Sequence, residues 1–457
     1  MKTFSLSIAL LLISLVSFSQ SPVGDWYGVL SVQGASLNLV LHISESDSGY
    51  STEMDSPDQG AFGIALESTT YKDGTLEIKM PAMGLSITGV ISNEGLLKAT
   101  YSQGPMTAPV EFSRKKKLKS QEPTEPFGYD SEEVTFENKT AEIALAGMLT
   151  LPSASGKHPA VILISGSGPQ NRNEEILGHK PFLVLADHLT KQGIAVLRYD
   201  DRGVADSEGQ FMGATSEDFA MDAAAAIAFL KNHPHVDASH IGVIGHSEGG
   251  LIAPMLAAQD KELDFIVLLA GPGKNGGEII TAQAELIALA EGEEKSTVEQ
   301  TKALNQKIFS FMKANSLEED LNQQLEKFIL AELKNNPNLI QQGKTAEQNA
   351  QEVAASLSDP WFRFFATYEP SESLSKVTCP ILALNGDKDL QVPADMNLDA
   401  IEKYASQTSV TAVKLKNLNH LFQTTETGAP SEYGELEETF NEEAMEIVSK
   451  WINEQIK

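Results

Sequence analysis

The five residues Gly245-His246-Ser247-Glu248-Gly249 constrain this chain more than any other stretch. They match G-x-S-x-G. The apolar run Ile241–Ile244 before them reads as a buried strand, and Gly250–Ala258 after them is an apolar run of helical length. Strand, tight turn and helix is the setting in which such a serine is lifted out of the fold on a strained turn. The flanking glycines let strand and helix approach closely. In this arrangement the backbone N–H of Glu248 faces a developing oxyanion. Pro254, in the second turn of the helix, is expected to kink it.

A serine hydroxyl is a weak nucleophile at neutral pH, so it needs a base, and the base needs an orienting acid. After such an elbow the expected chain order is acid, then histidine. The run Ile381–Asn385 reads as a strand and leads into Gly386-Asp387-Lys388-Asp389. Both aspartates fall in a loop at a strand's C-terminal end, where open α/β sheets bind ligands. Asp389 is the expected acid, with Asp387 in reserve. His420 follows the strand-like Thr411–Leu415 and is the expected base. Of the other histidines, His42 belongs to the N-terminal region. His158, His233, His235 and His240 precede strands, on the wrong side of a sheet. His188 sits in a helix pattern, His246 is expected to pack beside its strand, and His179 could reach the cleft. The second oxyanion donor is expected in Ser165-Gly166-Ser167-Gly168, at the Ser167 N–H, with Gly168 in reserve.

Around this constellation the chain divides into regions. Leu6–Val16 is a short apolar run behind Lys2, followed by small residues before Gln20. Residues 1–19 therefore read as a cleavable signal peptide, and the protein as secreted or periplasmic, with no stable membrane anchor. Residues 20–112 carry short alternating runs, among them Trp26–Val32, Leu37–Ile43 and Leu85–Ile91. Hairpin turns at Asp73-Gly74 and Asn93-Glu94-Gly95 separate several of them. This is an antiparallel β domain, a lipocalin-like barrel or a sandwich. Residues 113–130, with Arg114–Lys117 and two prolines, read as a linker. From residue 131 to 457 strands alternate with helices, which predicts a mainly parallel sheet with helices on both faces. The alternation stops at about 273–370, where helical periodicity without strands predicts a cap inserted over the site. That stretch contains the apolar cluster Trp361–Phe365, which either lines an acyl pocket or packs the cap onto the core.

The 63 acidic and 34 basic residues leave a net charge of −29, which argues against nucleic acid or an anionic membrane as partner. The single cysteine, Cys379, excludes an intrachain disulfide and reads as a buried small residue. No metal-ligand spacing and no dinucleotide fingerprint occur, so no metal and no cofactor are expected.

Four segments, Ser165-Gly-Ser-Gly-Pro-Gln-Asn-Arg172, Leu197-Arg-Tyr-Asp-Asp-Arg-Gly203, Gly245-His-Ser-Glu-Gly-Gly250 and Gly386-Asp-Lys-Asp389, resemble the EstD-type bacterial esterases of the α/β-hydrolase superfamily. The resemblance covers residues 131–457. It implies an α/β-hydrolase fold and cofactor-independent hydrolysis of short- to medium-chain acyl esters. Ser247 would be the nucleophile, Asp389 the acid and His420 the base. Ser165 stands where the family often has histidine, and Gly203-Val-Ala-Asp-Ser207 departs from a more usual Gly-Val-Gly-Lys-Ser. The same triad would serve a serine peptidase, which is the first alternative. Binding of glycan or lipid by the β domain is the second.

Overall fold

The computed structural model describes residues 21–457 apart from 33, 34, 48, 60, 117, 154, 317 and 319, so the signal-peptide expectation lies outside the described residues. The chain divides into two compact units, Met1–Lys117 and Leu118–Lys457.

The first unit is built from strands β1 (Gly24–Val32), β2 (Ala35–Ser46), β3 (Gly49–Ser56), β4 (Ala61–Ala65), β5 (Ser68–Lys72), β6 (Thr75–Met80), β7 (Leu85–Ile91), β8 (Leu97–Gln103) and β9 (Met106–Ser113). Their order is β2-β1-β9-β8-β7-β6-β5-β3-β4, and β2 also pairs with β3. That last pairing closes the sheet on itself as an antiparallel barrel, with β4 continuing beside β3. Alternation supplies the interior: Trp26, Leu39, Leu41, Ile78, Ile87 and Phe112 point inward and fill it. Asp73-Gly74 makes the β5–β6 turn, both residues at positive φ (52° and 81°), as the sequence requires. Arg114, read above as part of a basic connector, is anchored inside this unit. Its guanidinium lies 3.7 Å from the centre of the Trp26 ring and donates to the carbonyls of Ser21 and Val23 at 2.6 Å each.

The second unit holds an eight-stranded sheet: β10 (Asp130–Asn138), β11 (Ile143–Leu151), β12 (His158–Ile164), β13 (Ala195–Tyr199), β14 (Val236–His246), β15 (Phe265–Leu269), β16 (Ile381–Gly386) and β17 (Val410–Leu415). The order is β10-β11-β13-β12-β14-β15-β16-β17. β10 and β11 are antiparallel, and the sheet is parallel from β13 onward. Helices α1 (Pro181–Lys191), α2 (Ser216–Lys231), α3 (Glu248–Gln259), α10 (Ala394–Tyr404) and α11 (Glu442–Gln455) connect or flank the strands. Two apolar clusters bury the two faces of the sheet: one packs α2 and α3 against it, the other α1 and α11. Burial on both faces explains why the parallel strands read as continuous apolar runs rather than alternating ones. α3 runs through Pro254 as one helix.

Between β15 and β16 the chain leaves the sheet for α4 (Gly276–Ala290), α5 (Lys295–Ala314), α6 (Leu321–Asn335), α7 (Ala346–Leu357), α8 (Pro360–Thr367) and α9 (Ser371–Leu374). These helices have a core of their own around Ile308, Met312, Leu325 and Ile329. The start of α8 is set locally: Pro360 takes the first helical position, and Asp359 accepts from the Trp361 N–H at 2.9 Å. The segment just before β10 has no regular structure yet is tied to the rest of the second unit. Gln121 bonds the backbone of Thr439 and Phe440, and Lys180 pairs with Glu122. Among the described residues no helix is long and apolar enough to cross a membrane.

Candidate active site

Ser247 occupies the single-residue turn between β14 and α3, with φ 50° and ψ −117°. A non-glycine residue at positive φ is strained, by about 1–3 kcal/mol, and persists only when its surroundings hold it there. Here the Ser247 N–H donates to the carbonyl of Leu269 on β15 at 2.9 Å. A Cβ at Gly245 would overlap the carbonyl of Gly249, and one at Gly249 would overlap that of Ile164. Both glycines are therefore needed for the turn to close against β12.

The loops after β16 and β17 bring Asp389 and His420 together. His420 Nδ1 lies 2.8 Å from Asp389 Oδ2, with both residues nearly buried. The other carboxylate oxygen, Oδ1, accepts from the backbone N–H groups of Gln391 and Val392, each at 2.8 Å. Three donors thus hold the carboxylate so that it orients the imidazole. Asp387 is placed differently: its Oδ1 accepts from the Asn417 N–H at 2.6 Å at the surface.

The loop after β12 passes beside the serine, and a Cβ on Gly166 would lie 3.1 Å from Ser247 Cβ. The Gly166 N–H is already committed to Glu174 Oε1 at 2.7 Å. Ser167, the next residue, lines the same cavity as Ser247. The Leu197–Gly203 segment braces this loop from beneath. Asp201 accepts from Ser165 Oγ and from the Gln170 N–H, both at 2.9 Å. Asp200 binds the backbone N–H and guanidinium of Arg172, and Arg202 makes a two-pronged pair with Asp222. Burial pushes the Asp201 carboxyl well above the usual carboxylate range, while its loop donors pull the other way. Ser165, one departure from the family pattern, is therefore a loop anchor. Ser207, in the second departure, donates to the Asp200 carbonyl at 2.7 Å.

Ser247, His420 and Ser167 face one cavity of about 630 Å³. The inserted helices supply the apolar Ile279, Ile280 and Ile287 of α4 and Trp361, Phe362 and Phe365 of α8, together with Gln283 of α4 and the acidic Glu291 and Glu293 just beyond it. The Trp361 and Phe365 rings stack at 5.2 Å. The Trp361–Phe365 cluster thus lines the pocket as well as packing the cap. Glu248 anchors it. Its Oε1 accepts from Trp361 Nε1 at 2.8 Å and from Ser216 Oγ at 2.6 Å. Burial raises the Glu248 carboxyl above its ordinary pKa against the pull of these donors.

Two placements differ from expectation. His179 does not line the cavity. Its ring is buried between Thr439 Oγ1 and the Tyr433 carbonyl, each at 2.9 Å. His246 does more than pack beside its strand: it is hydrogen-bonded on both nitrogens, to Glu174 and to the His420 carbonyl. Glu174 and the acid side chain of Glu248 were not singled out from sequence, because their partners are 72 and 113 residues away. No group of three or more His, Cys, Asp or Glu that could hold a metal ion occurs among the described residues.

The strand order, the strained serine between β14 and α3, and the loops after β16 and β17 define an α/β-hydrolase. Residues 139–421 match the model of the X-Pro dipeptidyl-peptidase (S15) family, and the chain belongs to that family. It is 26% identical over 301 residues to the esterase EstD of Thermotoga maritima, a match that covers 65% of this chain and 63% of that protein. An uncharacterized 31.7 kDa protein of Escherichia coli is 22% identical over 262 residues, covering 56% of this chain and 82% of its own. Among solved structures, Est1E from Butyrivibrio proteoclasticus superimposes with a TM-score of 0.40 at 18% identity, over 71% of this chain and 98% of its own.

Proposed function

We propose that this protein is an exported serine carboxylesterase acting on short- to medium-chain acyl esters without a cofactor. The observation that carries this reading is His420, paired with Asp389, facing the same cavity as the strained Ser247. Ser247 Oγ attacks the ester carbonyl while His420 takes its proton. The backbone N–H groups of Glu248 and Ser167 hold the oxyanion; the Glu248 N–H lies in the first turn of α3, where no intrahelical acceptor exists. His420 then protonates the departing alcohol, and water activated by the same imidazole releases the acid. The apolar wall from α4 and α8 suits an acyl chain.

A peptidase reading is favoured by one observation, the X-Pro dipeptidyl-peptidase description of the matching family. The two separate on substrate. Hydrolysis of p-nitrophenyl esters from C2 to C12 is compared with that of aminoacyl- and X-prolyl-nitroanilides, with Ser247→Ala as control. Ester turnover that falls roughly 10⁴-fold or more in the variant, beside inert anilides, is expected. Faster anilide turnover would make the protein a peptidase, and full activity in Ser247→Ala would refute both readings.

A further inference from the structure

The sequence pattern calls only for a nucleophile, an acid, a base and two backbone donors, yet the site contains a second buried acid–imidazole pair. Glu174 is almost fully buried and holds a positive φ of 50°, a strained conformation for a side-chain-bearing residue. Its Oε1 accepts from the Gly166 N–H at 2.7 Å and meets His246 Nδ1 at 2.9 Å. His246 is also buried, and its Nε2 lies 3.0 Å from the carbonyl oxygen of His420. A carbonyl only accepts, so His246 Nε2 carries a proton. Its Nδ1 faces the Glu174 carboxyl, so the two buried side chains form a hydrogen-bonded acid–imidazole pair. Burial opposes charge on His246, but its contacts with Glu174 and with the carbonyl of His420 raise its pKa above the ordinary value.

The chain Gly166–Glu174–His246–His420 links two loops that share no covalent neighbourhood. At one end is the loop carrying the Ser167 donor, and at the other the backbone of the base. We propose that Glu174 and His246 are positioning residues that act as one unit, fixing the oxyanion loop and the His420 loop in register around Ser247. Both line the cavity beside Ser247, and the His246 ring lies 4.9 Å from that of His420, but the bonds that define their role run to backbone groups of the two loops. The strained backbone at 174 and the burial of two polar side chains cost stability, and what they secure is the relative placement of donor and base. This proposal rests on the serine-hydrolase reading above.

The test uses the full chain with the variants Glu174→Ala, Glu174→Gln, His246→Ala and the double alanine variant. Two readouts are taken: kcat and KM on the best p-nitrophenyl ester, and the rate at which a fluorophosphonate labels Ser247. The second needs the base and the oxyanion donors but no knowledge of the natural substrate. Glu174→Ala is expected to lower kcat and the labelling rate by about 100-fold, comparable to loss of one oxyanion donor, with KM changed less than about three-fold. Glu174→Gln keeps an oxygen that can accept from both Gly166 and His246 but cannot carry a charge, so it is expected to lose only about ten-fold. The double variant is expected to be no worse than the more severe single one, since the pair acts as a unit. A Glu174→Gln enzyme indistinguishable from wild type, a loss confined to KM, or a double variant equal to the product of the singles would each overturn the proposal. The glutamine variant decides the matter if the alanine variants do not fold. A wild-type protein that neither turns over esters nor labels at Ser247 would instead bring down the hydrolase reading itself.

Discussion

The indole N–H of Trp361 is bonded to the carboxyl of Glu248 across 2.8 Å, so the residue that follows Ser247 in the chain also holds the cap's aromatic wall. Trp361→Phe removes that donor and leaves Glu248 with the hydroxyl of Ser216. Trp361→Ala also opens the wall beside Phe365. The expected outcome for the alanine variant is a C8-to-C2 ratio of kcat/KM raised by about ten-fold, the scale at which pocket volume discriminates acyl chains. An ester series in which the ratio does not move would separate Trp361 from acyl selection.

Asp389 and Asp387 sit two residues apart in one loop but differ in what they hold. Asp389 accepts from three N–H groups, including that of His420, whereas Asp387 accepts from a surface amide. An asparagine at 389 must turn its NH₂ toward one of those donors. Asp389→Asn is therefore expected to lower kcat by about 10³- to 10⁴-fold, and Asp387→Asn by no more than a few-fold. Equal losses in the two variants would contradict this assignment.

His179 gives the fold a sensitivity to acid. Burial, then the nearby charge of Lys119, lowers its pKa from 6.5 to about 4, against the opposing hydrogen bond to the Tyr433 carbonyl. Between those values the unfolded chain takes up a proton that the native state refuses, so stability falls as pH drops through that window. The destabilisation caused by His179→Gln, read from urea midpoints, is accordingly expected to shrink from pH 7 to pH 4.5. A cost independent of pH would show that His179 is not held neutral in the native protein.

How much of this was legible in the sequence depends on how local the determinant is. The elbow could be read because three glycines and a serine within six residues leave few backbone solutions. The α/β-hydrolase fold and the EstD-type resemblance could be read because each parallel strand is a continuous apolar run beside its motif. β10 was harder: its first four residues are exposed and three of them acidic, so it does not read as part of a core. The closure of the barrel was not legible, since β2–β3 pairing completes a ring that no single strand announces. Glu174 gave no signal at all. It is one glutamate among many in a loop, and only the folded chain brings it to His246 and Gly166.

The cap enters and leaves the sheet between β15 and β16, while Ser247, Asp389 and His420 hang from the ends of β14, β16 and β17. On the proposed esterase reading, the parts that define what is bound and the parts that would break the bond therefore lie on separable stretches of chain. Of the pocket residues on α8, Trp361 ties the two stretches together through the carboxyl of Glu248, beside Ser247. In such a chain, diversification toward new substrates is a matter of exchanging or remodelling about a hundred residues of insertion on an unchanged catalytic frame.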